Sequence, residues 1–217
     1  MADSRISAVV FDLGGVLIDW NPRHLYRQLI ADQDELDDFL SRICTREWHL
    51  AHDLGVDTEQ SCRELAQAHP EYADLIMAWA HRGEEMVAGA LEDTVAVLSE
   101  LRTGGVRCLA LSNMEPDTFT KRRRRFSFFG LLDGWVISGQ EGVAKPDQAI
   151  FKILLTRYGL EPAATVFIDD SQLNVAAAAK LGVVAIEFTT AAQLRKDLRD
   201  LGLPVGAPDI PVGRGYI

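Results

Sequence analysis

Acidic side chains stand where short apolar runs of the sequence end, and a lysine lies between two of these runs. Asp12 follows the apolar run Ala8–Phe11, and Asp169 and Asp170 end a later one. Lys145 adds a positive charge. A buried carboxylate is costly unless it is paired or bound to something. These residue types at these positions therefore indicate a nucleophile or a metal site, although Asp12 alone would equally fit a turn that caps its strand.

Short apolar segments and amphipathic segments alternate along most of the chain. The apolar segments predict strands, and the periodic ones predict helices. Alternating strands and helices form a mostly parallel sheet with helices on both faces, so the predicted fold class is α/β. Strands are predicted at Ala8–Phe11, Val106–Asn113, Gly134–Ser138, Ala164–Asp170 and Val183–Phe188. Helices are predicted at Asp93–Arg102, Pro146–Tyr158 and Ser171–Leu181.

Polar residues at three predicted strand ends are expected to converge. In parallel sheets, ligands bind beyond the carboxyl ends of the strands. Asp12, Ser112–Asn113 and Asp169–Asp170 each follow such an end. Chance can place one polar residue at a strand end, but three such groups together with Lys145 predict a functional site at one edge of the sheet.

An inserted helical segment is expected over this site. Residues 21 to about 84 carry amphipathic helical patterns without strand signals. We predict a helical cap over residues 19–85, a core formed by residues 1–18 and 86–203, and an irregular Pro/Gly-rich tail over residues 204–217. A cap that closes would have hinges near Asp19–Asn21 and Gly83–Gly89.

The composition of the chain limits the kinds of molecule that it can be expected to bind. The net charge is −10, with 32 acidic and 22 basic residues, which disfavours nucleic acid. The basic run Lys121–Arg125 is expected to be a solvated helix face. The three cysteines do not suggest a disulfide framework. The chain shows no signal-peptide pattern and no apolar stretch of membrane-spanning length, so a cytoplasmic protein without a membrane partner is expected; nothing indicates an oligomeric state.

Four motifs resemble those of the haloacid dehalogenase-like hydrolase superfamily. The segments VVFDLGGVL, LALSN, GVAKPDQAIF and VFIDDSQLNV appear in the family's order and spacing, and the helical insert resembles its helical cap. The resemblance implies a Rossmann-like core and is strongest to small sugar-phosphate phosphatases. It implies hydrolysis of a small phosphorylated metabolite through an aspartyl-phosphate, with Mg²⁺ as the cofactor. The residues that match the motifs are the nucleophile Asp12, Ser112, Lys145, and the acids Asp169 and Asp170.

The chemistry of these residues agrees with that implication. Mg²⁺ prefers oxygen ligands and would offset the repulsion between a carboxylate and a phosphate. Its expected ligands are Asp12, Asp170 and the main-chain carbonyl of Gly14, while Asp169 is either a further ligand, an orienting group or a helix cap. Asn174 would hold Lys145 or a metal-bound water. The residues expected to bind the phosphate are Leu13, Gly14, Ser112, Asn113 and Lys145.

Gly14 departs from the family's usual pattern. Most phosphatases of the family carry a second aspartate at this position, which acts as acid and base and is worth about 10²–10⁴ in rate. In a phosphatase, Asp19, Asn21 or His24 at the cap junction could move the proton instead. A metal-independent 2-haloacid dehalogenase would not need that proton, and Arg42 or Arg46 could then hold the halide or the substrate carboxylate. A non-catalytic binding protein is the third alternative, against which the retained Asp12, Lys145 and Asp170 argue.

The cap contains further residues that could face a ligand. His49 and His52 have helical i, i+3 spacing but no third metal ligand, so they are expected to pack in the lid or lie on its surface. Trp20, Trp48 and Trp79 could line the site, and each fits lid packing better.

Overall fold

A five-stranded parallel sheet forms the core of the protein. The computed structural model describes residues 6–206. The strand order is β5-β4-β1-β6-β7, and every neighbouring pair is parallel. The five core strands are β1 (Ala8–Phe11), β4 (Arg107–Ser112), β5 (Gly134–Ile137), β6 (Thr165–Asp169) and β7 (Val184–Glu187). The predicted α/β fold with a mostly parallel sheet is confirmed.

Helices cover both faces of the sheet, as its apolar strands require. Val9 and Phe11 of β1 pack in a cluster with residues of α6, α7 and α11, whereas Ala8 and Val10 pack on the other face with α9 and α10. The core helices are α6 (Glu92–Thr103), α7 (Pro116–Arg125), α8 (Ser138–Glu141), α9 (Gln148–Tyr158), α10 (Gln172–Ala179) and α11 (Ala191–Asp200).

A second group of helices lies between the first strand and α6. It has its own apolar cluster, built around Tyr26, Phe39 and Trp79. Its helices are α1 (Pro22–Tyr26), α2 (Gln33–Asp38), α3 (Arg46–Asp53), α4 (Thr58–Ala68) and α5 (Ala73–Arg82), with a π-helical turn at Phe39–Ile43. We call these helices the cap. The individual helical patterns found between residues 21 and 84 did not include α3.

A short antiparallel ribbon joins the cap to the core. It consists of β2 (Ile18–Trp20) and β3 (Val87–Ala90), with Asp19 opposite Gly89. The two segments expected to act as hinges therefore overlap two paired strands, which the sequence analysis did not predict because they are short and β3 contains a glycine.

The basic run on α7 is exposed at every position except Arg122. Arg122 is 3% exposed and its Nη1 lies 2.5 Å from Glu84 Oε2. The guanidinium of Arg123 lies over the ring of Trp135, and Arg125 donates to the main-chain oxygen of Val87. The expectation of a solvated face is therefore confirmed for the rest of the run and wrong for Arg122, which pairs with the acidic turn before β3.

The remaining composition-based expectations concern cysteines, membrane segments and the tail. Cys44, Cys62 and Cys108 are free and buried. Within residues 6–206, no helix is both long and apolar enough to cross a bilayer. Residues 204–206 form neither helix nor strand, and the rest of the predicted tail, residues 207–217, lies outside the described residues.

Candidate active site

Lys145 lies at the centre of a buried cluster at the carboxyl edge of the sheet. Its Nζ lies 2.9 Å from Asp12 Oδ1 and 2.6 Å from Asp169 Oδ2. The side chains of Lys145 and Asp169 are at most 1% exposed. Asp12 follows β1 and Asp169 ends the neighbouring β6. The fold therefore brings together three of the predicted site residues, as the strand-end argument requires.

Asn113 fixes the main chain at Lys145. Its Nδ2 donates to the Lys145 carbonyl and its Oδ1 accepts from the Lys145 N–H, each at 2.9 Å. The peptide bond between Lys145 and Pro146 is cis. Both polar atoms of the Asn113 side chain are thus used on Lys145, so a role for Asn113 in binding phosphate would fall to its main-chain N–H.

Asp169 is held by donors on both carboxylate oxygens. Oδ2 accepts from Lys145, Oδ1 accepts from the Ser171 N–H at 2.8 Å, and Asn174 Nδ2 lies 3.0 and 3.1 Å from the two oxygens. These contacts favour the orienting role among those considered for Asp169. Asn174 was expected to hold Lys145 or a metal-bound water; it holds Asp169 instead because α10 begins directly after the acid pair.

The two glycines after Asp12 have different structural roles. Gly15 has φ +73, and a Cβ at this position would collide with the carboxylate of Asp170. The second glycine therefore lets Asp170 approach the loop that follows Asp12. A Cβ at Gly14 would meet nothing within 4 Å. The position at which the family usually carries a second carboxylate is open space here.

The acidic residues of the site fit a divalent cation. Asp12, Asp169 and Asp170 each offer a carboxylate oxygen, and these atoms lie within 4.8 Å of one another. Because both oxygens of Asp169 already accept hydrogen bonds, Asp12 and Asp170 are the better candidates for ligands. One or two carboxylates, completed by main-chain and water oxygens, are typical of Mg²⁺ sites in proteins.

The electrostatics of the cluster also favour a cation. Burial is the main cause that raises the pKa of Asp12 to about 7; Lys145 opposes it, and the acids Asp169 and Asp170 add to it. Partial burial and the charge of Asp169 raise the pKa of Asp170. Burial acts to lower the pKa of Lys145, but its two carboxylate partners outweigh burial and raise it. Three carboxylates thus face one ammonium, and a bound cation would favour their ionised forms.

Two other predicted phosphate-binding residues lie at strand ends. Ser112 is 2% exposed and ends β4, which is paired with β1. The N–H of Leu13 donates to Asp12 Oδ1 at 2.7 Å. Both residues therefore lie at the same edge of the sheet as Asp12.

The three residues considered as substitutes for the missing acid have partners near the β2–β3 ribbon. His24 Nε2 lies 2.8 Å from Asp19 Oδ1, and the side chain of Asn21 caps α1 by accepting from the Arg23 N–H. Within residues 6–206, no hydrogen bond or ion pair joins them to Asp12 or Lys145. These contacts do not favour any of the three as the proton carrier.

Helix α3 carries the cap residues that reach the core. Arg46 Nη2 donates to Ser171 Oγ at 3.1 Å, and the main-chain oxygen of Asp53 accepts from Ser138 Oγ at 2.5 Å. Arg42 instead pairs with Asp38 on the cap surface. The sequence analysis missed Asp53. The signals that could have revealed its helix were Thr45, which caps α3, and Gly55, which follows it.

The two histidines of α3 lie among aromatic rings of the cap. His49 stacks on Trp20 with ring centroids 5.0 Å apart, and His52 meets Trp48 edge to face at 4.4 Å. Burial lowers the pKa of both histidines to about 4. They are therefore uncharged at neutral pH, and the expectation that they pack in the cap is confirmed.

Two curated proteins are similar to this chain in sequence. The chain is 28% identical over 207 residues to a sesquiterpene phosphatase of Aspergillus oryzae, an alignment that covers 91% of this chain and 97% of the relative. It is 26% identical to acyl-CoA dehydrogenase family member 10 of mouse, of which it spans 20%, so that match is to part of a larger protein.

Solved structures of low sequence identity share the fold. A Bacteroides thetaiotaomicron enzyme in complex with magnesium and inorganic phosphate superposes with a TM-score of 0.62 at 21% identity, covering 85% of this chain and 95% of that one. L-2-haloacid dehalogenase from Xanthobacter autotrophicus gives 0.60 at 17% identity, covering 93% and 85%. The family model for haloacid dehalogenase-like hydrolases matches residues 6–182. The chain belongs to the haloacid dehalogenase-like hydrolases.

Proposed function

We propose that this hydrolase is a Mg²⁺-dependent phosphatase that cleaves small phosphate monoesters through an aspartyl-phosphate on Asp12. The observation that carries the proposal is the buried Asp12–Lys145–Asp169 network with Asp170 beside it. A carboxylate nucleophile next to an ammonium and a second free carboxylate suits attack on an anionic phosphoryl group. The phosphatase activity of the Aspergillus oryzae relative supports this assignment.

Each residue of the network has a role in this reaction. Asp12 attacks phosphorus with the oxygen that is not held by Lys145. Lys145 stabilises the charge on the phosphoryl oxygens, and Asp169 keeps Lys145 in place. Asp12, Asp170 and the carbonyl of Gly14 would hold Mg²⁺, which neutralises part of the negative charge of phosphate and carboxylate when it is bound.

Hydrogen-bond donors around Asp12 would bind the phosphate. They are the Ser112 hydroxyl and the main-chain N–H groups of Leu13, Gly14 and Asn113. Main-chain N–H groups beside glycine can approach an anion closely because no side chain stands in the way. The cap would cover the alcohol part of the ester. Sugar phosphates are the first candidates for the substrate, and terpenyl phosphates, suggested by the Aspergillus oryzae relative, are the second.

The dehalogenase alternative rests on shared fold and on Gly14. A halide leaves without a proton, so an enzyme of that kind needs no second acid. The acidic trio disfavours this alternative, because clustered carboxylates without a cation repel the carboxylate of a haloacid. A non-catalytic role is disfavoured by the intact buried network, since three buried charged groups without a function are costly.

Phosphate release from an aryl phosphate tests the proposal. The wild type should release phosphate with Mg²⁺ and lose this activity with chelator. Asp12→Asn should reduce the rate by roughly 10⁴-fold or more, as loss of a nucleophile does. Asp38→Asn, which alters an exposed carboxylate of the cap, is the matched control and should keep the activity. Halide release from a 2-haloacid in the presence of chelator, without phosphate release from aryl or sugar phosphates, would contradict the proposal.

A further inference from the structure

One face of α3 lies against the core. Arg46, His49 and Asp53 are spaced i, i+3 and i+7, which places them on the same side of a helix. Arg46 contacts Ser171 directly after the acid pair, and the carbonyl of Asp53 accepts from Ser138 at the end of β5. The helix is therefore tied at both ends to loops at the carboxyl edge of the sheet. Asp53 is consequently fixed at the boundary between cap and active site.

Among residues 6–206, none donates a hydrogen bond to the carboxyl group of Asp53. In the part of the chain that the structure describes, its ion-pair partner is His49, whose Nδ1 lies 3.9 Å from Asp53 Oδ2. Burial leaves His49 neutral at pH 7. The Asp53 side chain is 14% exposed, so it is mostly buried but still open on one side. A carboxyl group in this state is free to donate or accept a proton.

Charged groups of the core and the cap act on Asp53. Asp12 and Lys145 lie on the core side, Glu115 lies at the start of α7, and His49 is on the same helix. Burial is the main cause that raises the pKa of Asp53 to about 7; Asp12 and Glu115 act in the same direction, and Lys145 opposes them. Asp53 therefore exists in both protonation states near neutral pH, which general acid–base catalysis requires.

We propose that Asp53 of the cap supplies the proton transfer that the missing carboxylate at Gly14 would otherwise perform. This inference rests on the phosphatase activity proposed above. Three observations of the structure carry it. Gly14 leaves open space beside the nucleophile, α3 is held against the loops of the active-site edge at both ends, and Asp53 at its end carries a mostly buried carboxyl group for which residues 6–206 provide no hydrogen-bond donor.

The two steps of the reaction balance with Asp53 in this role. In the first step the Asp12 carboxylate forms a bond to phosphorus, the bond to the leaving oxygen breaks, and Asp53 gives its proton to that oxygen. In the second step the Asp53 carboxylate takes a proton from water as the water oxygen bonds to phosphorus. The bond between Asp12 and phosphorus breaks, so that inorganic phosphate, the Asp12 carboxylate and protonated Asp53 are formed.

The dependence on the leaving group tests this proposal. An alkyl phosphate needs a proton on its leaving oxygen, whereas an aryl phosphate with an acidic phenol departs as its anion. For Asp53→Asn, kcat/KM for the alkyl ester should fall about 10²–10⁴-fold, and kcat/KM for the aryl ester should change by only a few-fold. Because the second step also needs Asp53, kcat should fall for both esters, and the variant should release the phenol in a burst before steady turnover.

Two further measurements separate proton transfer from a structural role. Glu47→Gln makes the same carboxylate-to-amide change on an exposed residue of α3 and should leave both esters at the wild-type rate. In the wild type, kcat/KM for the alkyl ester should decline above about pH 7 relative to the aryl ester. This comparison needs no variant and therefore does not depend on how Asp53→Asn folds.

The possible failures are distinguishable. Equal losses of kcat/KM for both esters in Asp53→Asn, or no loss of kcat/KM for either, would overturn the role of Asp53 while leaving the phosphatase assignment intact. A wild type that releases phosphate from neither ester with Mg²⁺ would overturn the phosphatase assignment, and the role of Asp53 with it. A burst of phenol from Asp53→Asn supports the proposal and also shows that the variant has folded.

Discussion

The core and the cap each present a carboxylate to the same site, but they hold it in opposite ways. Asp169 of the core accepts hydrogen bonds from Lys145, Ser171 and Asn174. Asp53 of the cap accepts none on its side chain from residues 6–206, and the hydrogen bond that ties it to the core is made by its main chain. A fully bonded buried charge is rigid and stable, whereas an unpaired one is costly and easily protonated. The difference indicates that the core supplies fixed charge and the cap supplies an exchangeable proton.

The largest effect is expected from breaking the core network at Lys145. Lys145→Met would leave Asp12 and Asp169 buried without their common partner, and removal of one partner of a buried ion pair costs about 3–5 kcal/mol. Urea denaturation should show this loss of stability, together with loss of phosphate release. Lys152→Met, which alters an exposed lysine of α9, should change neither. An unfolding midpoint in urea equal to that of the wild type would show that the Lys145 network does not stabilise the core, and the contrast with the cap would fail.

Replacing the carboxyl group of Asp53 is expected to increase stability, whereas replacing Lys145 is expected to decrease it. Burial raises the pKa of Asp53 to about 7, against about 3.9 in an unfolded chain. Between these values the folded protein binds more protons than the unfolded one, so the contribution of Asp53 to stability falls as the pH rises from 4 to 7.

Asp53→Asn removes this dependence. At pH 7 the variant should be more stable than the wild type by roughly 2–4 kcal/mol, and the difference should disappear near pH 4. Denaturation curves at a series of pH values measure it, with Glu47→Gln as the control. A variant that is less stable than the wild type at pH 7 would show that Asp53 is held by favourable contacts, as Asp169 is.

The smallest effect is expected at the contact between Arg46 and Ser171. This hydrogen bond is exposed, and exposed polar contacts contribute about 0–1 kcal/mol. Arg46→Ala should therefore lower the unfolding free energy by less than about 1 kcal/mol. Arg42→Ala, which breaks an exposed pair within the cap, is the matched comparison. A much larger loss for Arg46→Ala would mean that the cap and the core unfold as one unit through this contact.

The sequence predicted the core part of the site well because strand ends are marked in it. A short apolar run followed by an acid identifies both the strand and the residue at its carboxyl end, so Asp12 and Asp169 could be placed without coordinates. The hydrogen bonds of Asp169 and Asn113 could not be predicted, since they depend on loops whose paths are set by tertiary packing.

The cap part of the site escaped prediction for a different reason. Helix α3 spans eight residues and buries only His52 fully, so it lacks the regular apolar stripe by which helices are recognised. A carboxylate on such a helix has nothing in its neighbourhood that marks it as functional. The ends of the helix were marked by Thr45 and Gly55, but its contact with the core depends on how five short helices pack together.

The β2–β3 ribbon has a consequence for how the cap can be exchanged. Because Trp20 pairs with Val87, the chain leaves the core and returns to it across a single pair of antiparallel strands. A tight turn of a few residues is long enough to close that gap. The first strand and the network around Lys145 lie outside the segment between Trp20 and Val87. A different lid can therefore be grafted at the ribbon while the core and its buried network stay unchanged.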